Sequence, residues 1–93
     1  MAGVLVATPA SAEVGSPIVI SGTGFTTTDA LLVSVSAEAE QGVEVDFPLV
    51  CVAGVMPSFT VVPGGPGHFN VAVVDTTTPA NNPPPLRVTT FED

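Results

Sequence analysis

The sequence predicts an all-β sandwich, and three observations carry that prediction. Val and Thr abound, and both favour a pleated, half-buried backbone. Ten Pro and nine Gly cut the chain into short pieces. Several pieces alternate apolar and polar residues with a period of two, and none carries a helical apolar period of useful length. At 93 residues the chain is expected to form one domain, residues 1–93, around a modest core. Its only aromatics are five Phe, so that core must be mainly Val, Ile, Leu and Ala.

Residues 4–9 read as a first strand, ended by Pro9. Gly15 supplies a corner, and residues 17–21 form a second strand with Ile18 and Ile20 on one face, Val19 and Ser21 on the other. Gly22 and Gly24 are expected to break that run before Phe25, and Thr26-Thr27-Thr28-Asp29 reads as a polar loop. The third strand, residues 30–38, turns Leu31, Val33, Val35 and Ala37 inward and Leu32, Ser34, Ser36 and Glu38 outward. After a turn at Gln41-Gly42, Val43, Val45 and Phe47 point in, Glu44 and Asp46 point out, and Pro48 marks an edge or an exit. Residues 49–56 read as an apolar strand bent at Gly54, and residues 58–62 as a short strand between Pro57 and Pro63.

Gly64-Gly65-Pro66-Gly67 is the strongest turn signal. The strand after it, residues 68–75, directs Phe69, Val71 and Val73 inward. A proline-rich connection follows over residues 76–85, with Pro83-Pro84-Pro85 expected as stiff polyproline II. In the last strand, residues 86–91, Leu86, Val88 and Thr90 share one face, while Arg87, Thr89 and Phe91 share the other. Phe91 is expected to close the core as a plug. About seven short antiparallel strands at this spacing are the pattern of an immunoglobulin-like sandwich.

Two stretches carry a family resemblance. Val14-Gly15-Ser16-Pro17-Ile18-Val19-Ile20-Ser21-Gly22-Thr23-Gly24-Phe25 resembles the "vGspvtisGtgF" opening of bacterial and bacteriophage immunoglobulin-like domains, including the IPT/TIG type. Gly67-His68-Phe69-Asn70-Val71-Ala72-Val73 is similar to their later G-x-F-x-V-x-V strand, and Leu86-Arg87-Val88-Thr89 to their closing strand. The resemblance spans nearly the whole chain and departs at residues 50–62 and in the proline-rich insert, where it leaves the edge strands open. It implies an immunoglobulin-like fold and transfers no catalytic residue, since such modules serve as spacers, adhesive units or virion decorations.

Charge narrows the partners. The chain has no Lys, Arg87 is its only fixed cation, and nine carboxylates give a net charge of −8. Nucleic acid and anionic membranes are therefore excluded as partners, because both require clustered Lys and Arg. A charged partner should be basic or a cation; the alternative is that the charge serves solubility alone. Only 11% of residues are charged, against about 25% in ordinary soluble domains. The exterior must then be largely Thr, Ser, Pro, Gly and aliphatic, which suits packing on neighbours.

Little in the chain points to chemistry. Cys51, the single cysteine, lies in an apolar run and reads as a buried structural thiol; a pairing with His68, the single histidine, lacks a third member. No cofactor is expected. One Cys and one His do not make a zinc site. Calcium is the one metal to weigh: Glu38, Glu40, Glu44 and Asp46 flank one turn and could pool oxygen ligands, although alternation also explains Glu44 and Asp46 as a solvated face. The candidate contact surface is the proline-rich connection, with Pro79, Asn81, Asn82, Pro83, Pro84 and Pro85, whose stiffness lowers the entropy lost on docking; a mobile surface loop is the other reading.

The N-terminal stretch lacks the basic region and apolar length of a secretory signal, and no segment is long enough to span a membrane. The chain is expected to begin at its own initiator Met and to be made in the cytoplasm, although an excised domain would look the same. The expectation that follows is a non-enzymatic attachment module. It would be a bacteriophage virion accessory protein, on capsid or tail, docked on the particle exterior against a major capsid or tail protein or copies of itself. The alternatives are a repeat of a bacterial cell-surface adhesin and a carbohydrate-binding module.

Overall fold

The computed structural model describes residues 2–39 and 44–92. The predicted turn at Gln41-Gly42, the inward placement of Val43 and the ligand candidate Glu40 lie outside the described residues. Among the described residues there are eight strands: β1 (Val4–Thr8), β2 (Ser11–Glu13), β3 (Ile18–Thr23), β4 (Ala30–Ala39), β5 (Glu44–Val50), β6 (Met56–Val61), β7 (Gly67–Asp75) and β8 (Leu86–Phe91). A 3-10 turn covers Pro79–Asn81. The chain is all-β, as its composition and alternation predict.

The strands form two sheets, one of three strands in the order β1-β3-β6 and one of five in the order β2-β8-β7-β4-β5. Neighbours run antiparallel except β2 and β8, which are parallel. The two inner faces share one core. Leu5, Ile18, Ile20, Met56 and Val61 come from the smaller sheet, and Leu31, Val33, Val35, Phe69, Val71, Val73 and Val88 from the larger. Period-two alternation puts these on the inner side of their strands, except on β6, where the irregular pairing opposite Ile20–Gly22 lets Met56 and Val61 both turn inward at opposite parity. Burying one such side chain contributes about 1.5–3 kcal/mol.

Several boundaries differ from expectation for identifiable reasons. β3 runs through Gly22 instead of breaking there, with an irregularity in its pairing to β6 between Ile20 and Gly22. A Cβ on Gly22 would stand 3.2 Å from both Leu5 and Phe25, so glycine is present for close packing inside the strand. β2 has no counterpart in the sequence reading. It is three residues long, pairs with a distant strand and gives no period.

The apolar run over residues 49–56 is not one bent strand. β5 passes through Pro48 as an edge strand to Val50, a turn follows, and β6 begins at Met56 and includes Pro57. That turn carries the chain from the five-stranded sheet to the three-stranded one. Val45, expected inward, is 51% exposed, because β5 is the edge of a five-stranded sheet facing only three. The open side is closed further along by Phe47, whose ring meets Phe59 edge-on at a centroid distance of 5.0 Å. The Pro83-Pro84-Pro85 run has no N–H to offer a ladder, and β8 starts only at Leu86.

Thr90 follows the inward parity of Val88 and is 3% exposed, and its hydroxyl finds no hydrogen-bond partner. Removing a buried, unsatisfied hydroxyl while keeping the side-chain shape relieves a desolvation cost. Thr90→Val is therefore expected to stabilise the domain by about 1 kcal/mol, read as a rise in melting temperature.

Candidate functional site

One end of the sandwich is held together by buried polar groups. Strand alternation places them: Asp29 precedes Leu31 by two residues, and Asp75 follows Val73 by two, so both take the inward parity. They are 2% and 0% exposed. Asp29 accepts hydrogen bonds from the Thr26 N–H (3.0 Å), the Thr78 hydroxyl (3.1 Å) and Asn81 Nδ2 (3.4 Å). Asp75 Oδ1 accepts from the N–H groups of Thr77 (3.1 Å) and Thr78 (2.8 Å), whereas no donor reaches its Oδ2.

The proline-rich connection is bound into this cluster. Asn81 Nδ2 also donates to Thr26 Oγ1 (2.9 Å), its backbone carbonyl accepts from Gly3 N–H (2.7 Å), and Asn82 Oδ1 accepts from Asp75 N–H (2.6 Å). Thr76 and Thr77 are in turn bonded to the backbone of Ala30 at the start of β4. Of the six contact candidates in this connection, Asn81 and Pro83 are buried, while Pro79, Asn82, Pro84 and Pro85 are exposed. Cys51, buried and unbonded, lies against the same end, where its N–H donates to the Asp29 carbonyl (2.8 Å). Burial, and then the nearby Asp29 and Asp75 charges, push its thiol above the ordinary range. His68 pairs with Glu38 and Thr89 at the far end of the sheet, so Cys51 and His68 do not meet.

The outer face of the five-stranded sheet carries two contrasting regions. Next to the buried cluster, Val74, Leu32 and Pro48 form one rung across β7, β4 and β5, with Val50 on the adjoining rung opposite Ala30. Leu32 and Val74 are 46% and 47% exposed, and Val50 is exposed as well. At the other end Arg87 reaches Glu38 through Nε to Oε2 (3.0 Å) and Nη2 to Oε1 (3.3 Å), and Asn70 Nδ2 donates to the same Oε2 (2.9 Å). These bonds from Arg87 and Asn70 hold the Glu38 carboxyl below the usual range. Phe91 belongs to this outer face opposite Glu13, 44% exposed, and so does not plug the core. Thr90 takes the inward position in its place.

Of the four calcium candidates, three lie among the described residues. Glu38 is committed to Arg87 and Asn70, Glu44 and Asp46 project from β5 opposite Ser36 and Ser34, and Glu40 lies outside the described residues. Among the described residues no group of three or more His, Cys, Asp or Glu is arranged to hold a metal ion. Compared with protein families, curated proteins and solved structures, the chain matches none of them.

Proposed function

We propose that this chain is a non-enzymatic, immunoglobulin-like attachment module that docks through the outer face of its five-stranded sheet, as a bacteriophage virion accessory protein does on a capsid or tail. The observation that carries the reading is the Val74–Leu32–Pro48 rung, apolar on a face where a free sheet would present polar side chains. The strand order β2-β8-β7-β4-β5 against β1-β3-β6, with the chain changing sheets between β1 and β2, supports the immunoglobulin-like assignment.

Charge selects the occupant. The rung is bordered by Asp46 on β5, and the same face carries Glu44 and Glu13 further along. At a net charge of −8, two copies repel each other, so the fitting partner is a protein surface with an apolar centre and a basic rim. The test is co-sedimentation of the native gene product with virus-sized particles from its source. The single variants Leu32→Asp and Val74→Asp, at exposed positions, should stay folded and leave the particle fraction. A wild-type chain that sediments slowly and alone overturns the virion reading.

A glycan-binding reading has one observation in its favour, the exposed ring of Phe91 beside Glu13. Saturable binding on a glycan array, lost in Phe91→Ala and unaffected by Leu32→Asp, would replace the docking reading with that one.

A further inference from the structure

Asp29 and Asp75 share Thr78 inside the polar end of the sandwich, and among the described residues every group bonded in this cluster is neutral or acidic. The elements packed there bring Thr26 and Asp29 from the β3–β4 loop, Cys51 from the β5–β6 turn, and Thr77, Thr78, Asn81 and Asn82 from the proline-rich connection. Among the described residues the other titratable group in this cluster is Cys51, whose thiol burial pushes above its ordinary range. Two ionised carboxylates buried in one cluster would repel strongly. Asp29 has both oxygens engaged by donors, whereas Asp75 Oδ2 is buried with no donor in reach. Thr78 links the two carboxyls, its N–H donating to Asp75 Oδ1 and its hydroxyl to Asp29 Oδ1, so the orphaned Oδ2 and the Asp29 carboxylate are acceptors in one buried cluster. One proton relieves that repulsion, and the oxygen with no donor is the one placed to carry it. Asp75 is the acid and Asp29 the anion of a shared-proton pair.

We propose that the Asp29–Asp75 pair is a one-proton latch that holds the proline-rich connection and the N-terminal segment on the end of the sandwich and releases them as pH rises. Its reach follows from its bonds. Thr78 and Asn81 are fastened by Asp29, Thr77 and Thr78 by Asp75, and Gly3 is held in turn by the Asn81 carbonyl. Loss of the proton leaves two buried charges in one cluster, and the connection, made of Thr, Asn, Pro and one Ala, is the part that can move away and admit water.

The direction of the pH dependence is fixed by the two groups. Burial, then the neighbouring Asp29 carboxylate, raise the Asp75 carboxyl above the ordinary range against the pull of the Thr78 and Thr77 N–H groups. A raised group contributes stability that is complete below its unfolded value and lost as pH climbs through the folded one. Burial also acts to raise Asp29, but the neighbouring Asp75 and the bonds from Thr26, Thr78 and Asn81 outweigh it and hold that carboxyl below the ordinary range. Its contribution is present above the unfolded value and lost only in stronger acid. The latch is thus closed between the two and opens on the alkaline side.

The experiment is thermal melting of the full chain from mildly acidic to alkaline pH, for wild type, Asp75→Asn, Asp29→Asn and the exposed control Asp46→Asn. Asn at 75 reproduces the protonated acid, donating to Asp29 and accepting from Thr77 and Thr78. Asp75→Asn should therefore flatten the alkaline decline and melt several degrees above wild type there. Asp29→Asn turns an amide NH2 toward a donor and should melt below wild type. Asp46→Asn lowers the net charge equally and should leave the decline in place. In parallel, carboxyl carbon NMR should show Asp75 protonated above the ordinary carboxylate range, with the Gly3 and Asn81 amide signals following its titration and those of Val88 unmoved. Parallel melting curves for wild type and Asp75→Asn overturn the latch. So does an ionised Asp75 at mildly acidic pH, or a calcium-induced rise in melting temperature abolished by Asp75→Asn, which would make the pair a cation site.

Discussion

Phe69→Ala is expected to destabilise the domain by about 3–5 kcal/mol, the largest effect of any single truncation in this core. Phe69 is the largest of the fully buried side chains and stands on β7, paired with Ala37 of β4 on one side and Val88 of β8 on the other. Removing its ring leaves a cavity in the middle of the larger sheet, and the flanking hydrogen-bonded strands cannot collapse into it. Small domains hold only about 5–15 kcal/mol of total stability. In a chain of this length each kcal/mol moves the melting temperature by about 4–8 °C. A drop of about 12 °C (the smallest loss, about 3 kcal/mol, at the lower slope of about 4 °C each) is therefore the least that thermal denaturation should record. Phe91→Ala is the matched control: its ring is 44% exposed on the outer face, and its removal should change the melting temperature little. Equal losses from the two variants would mean that the Phe91 ring, and not Thr90, is turned into the core.

Alternation made most of this legible in advance. Leu31, Val33 and Val35 on β4, and Phe69, Val71 and Val73 on β7, are buried where a period of two puts them, and Leu32 faces out as the same pattern requires. The buried acids obey the pattern as well. Extending the inward parity by one step in each strand reaches Asp29 and Asp75, but a carboxylate beside Thr or Val reads as loop or strand end unless the parity is followed past the apolar residues. Asn81 carried no such signal, because its burial comes from Thr26, Asp29 and Gly3, which are far away in sequence. β2 was hidden for a similar reason: three residues of mixed polarity are a strand only because β8 lies alongside them. The exposure of Val45 depends on the unequal widths of two sheets, a property that no single strand encodes.

The turn between β5 and β6 shows the same limit in a form open to test. Val52 and Val55 exchange both backbone hydrogen bonds (2.9 and 3.0 Å), and φ is positive at the two residues between them, +51° at Ala53 and +79° at Gly54. Positive φ at both central positions is the requirement of a type I′ hairpin, which sequence reading finds through Asn-Gly or Asp-Gly and overlooks as Ala-Gly. Gly54 is also clamped from outside. Its N–H donates to the Thr27 carbonyl (2.9 Å) and its carbonyl accepts from Phe25 N–H (3.2 Å). A Cβ there would stand 2.7 Å from the Phe25 carbonyl oxygen. Gly54→Ala must therefore bear the left-handed backbone cost and also push Phe25 away, weakening the bonds that join this turn to the β3–β4 loop. The expected loss is about 2–3 kcal/mol. Gly15→Ala separates the two contributions, since Gly15 has a φ of +84° but nothing within 4 Å of an added Cβ. It should lose only the backbone share, about 1 kcal/mol. Ala53→Asn should run the other way and gain stability, because Asn tolerates the left-handed region that Ala53 now occupies. Equal losses at Gly54 and Gly15 would mean that the contact with Phe25 yields without cost. A larger loss at Gly54 fixes that turn as the joint between the two sheets.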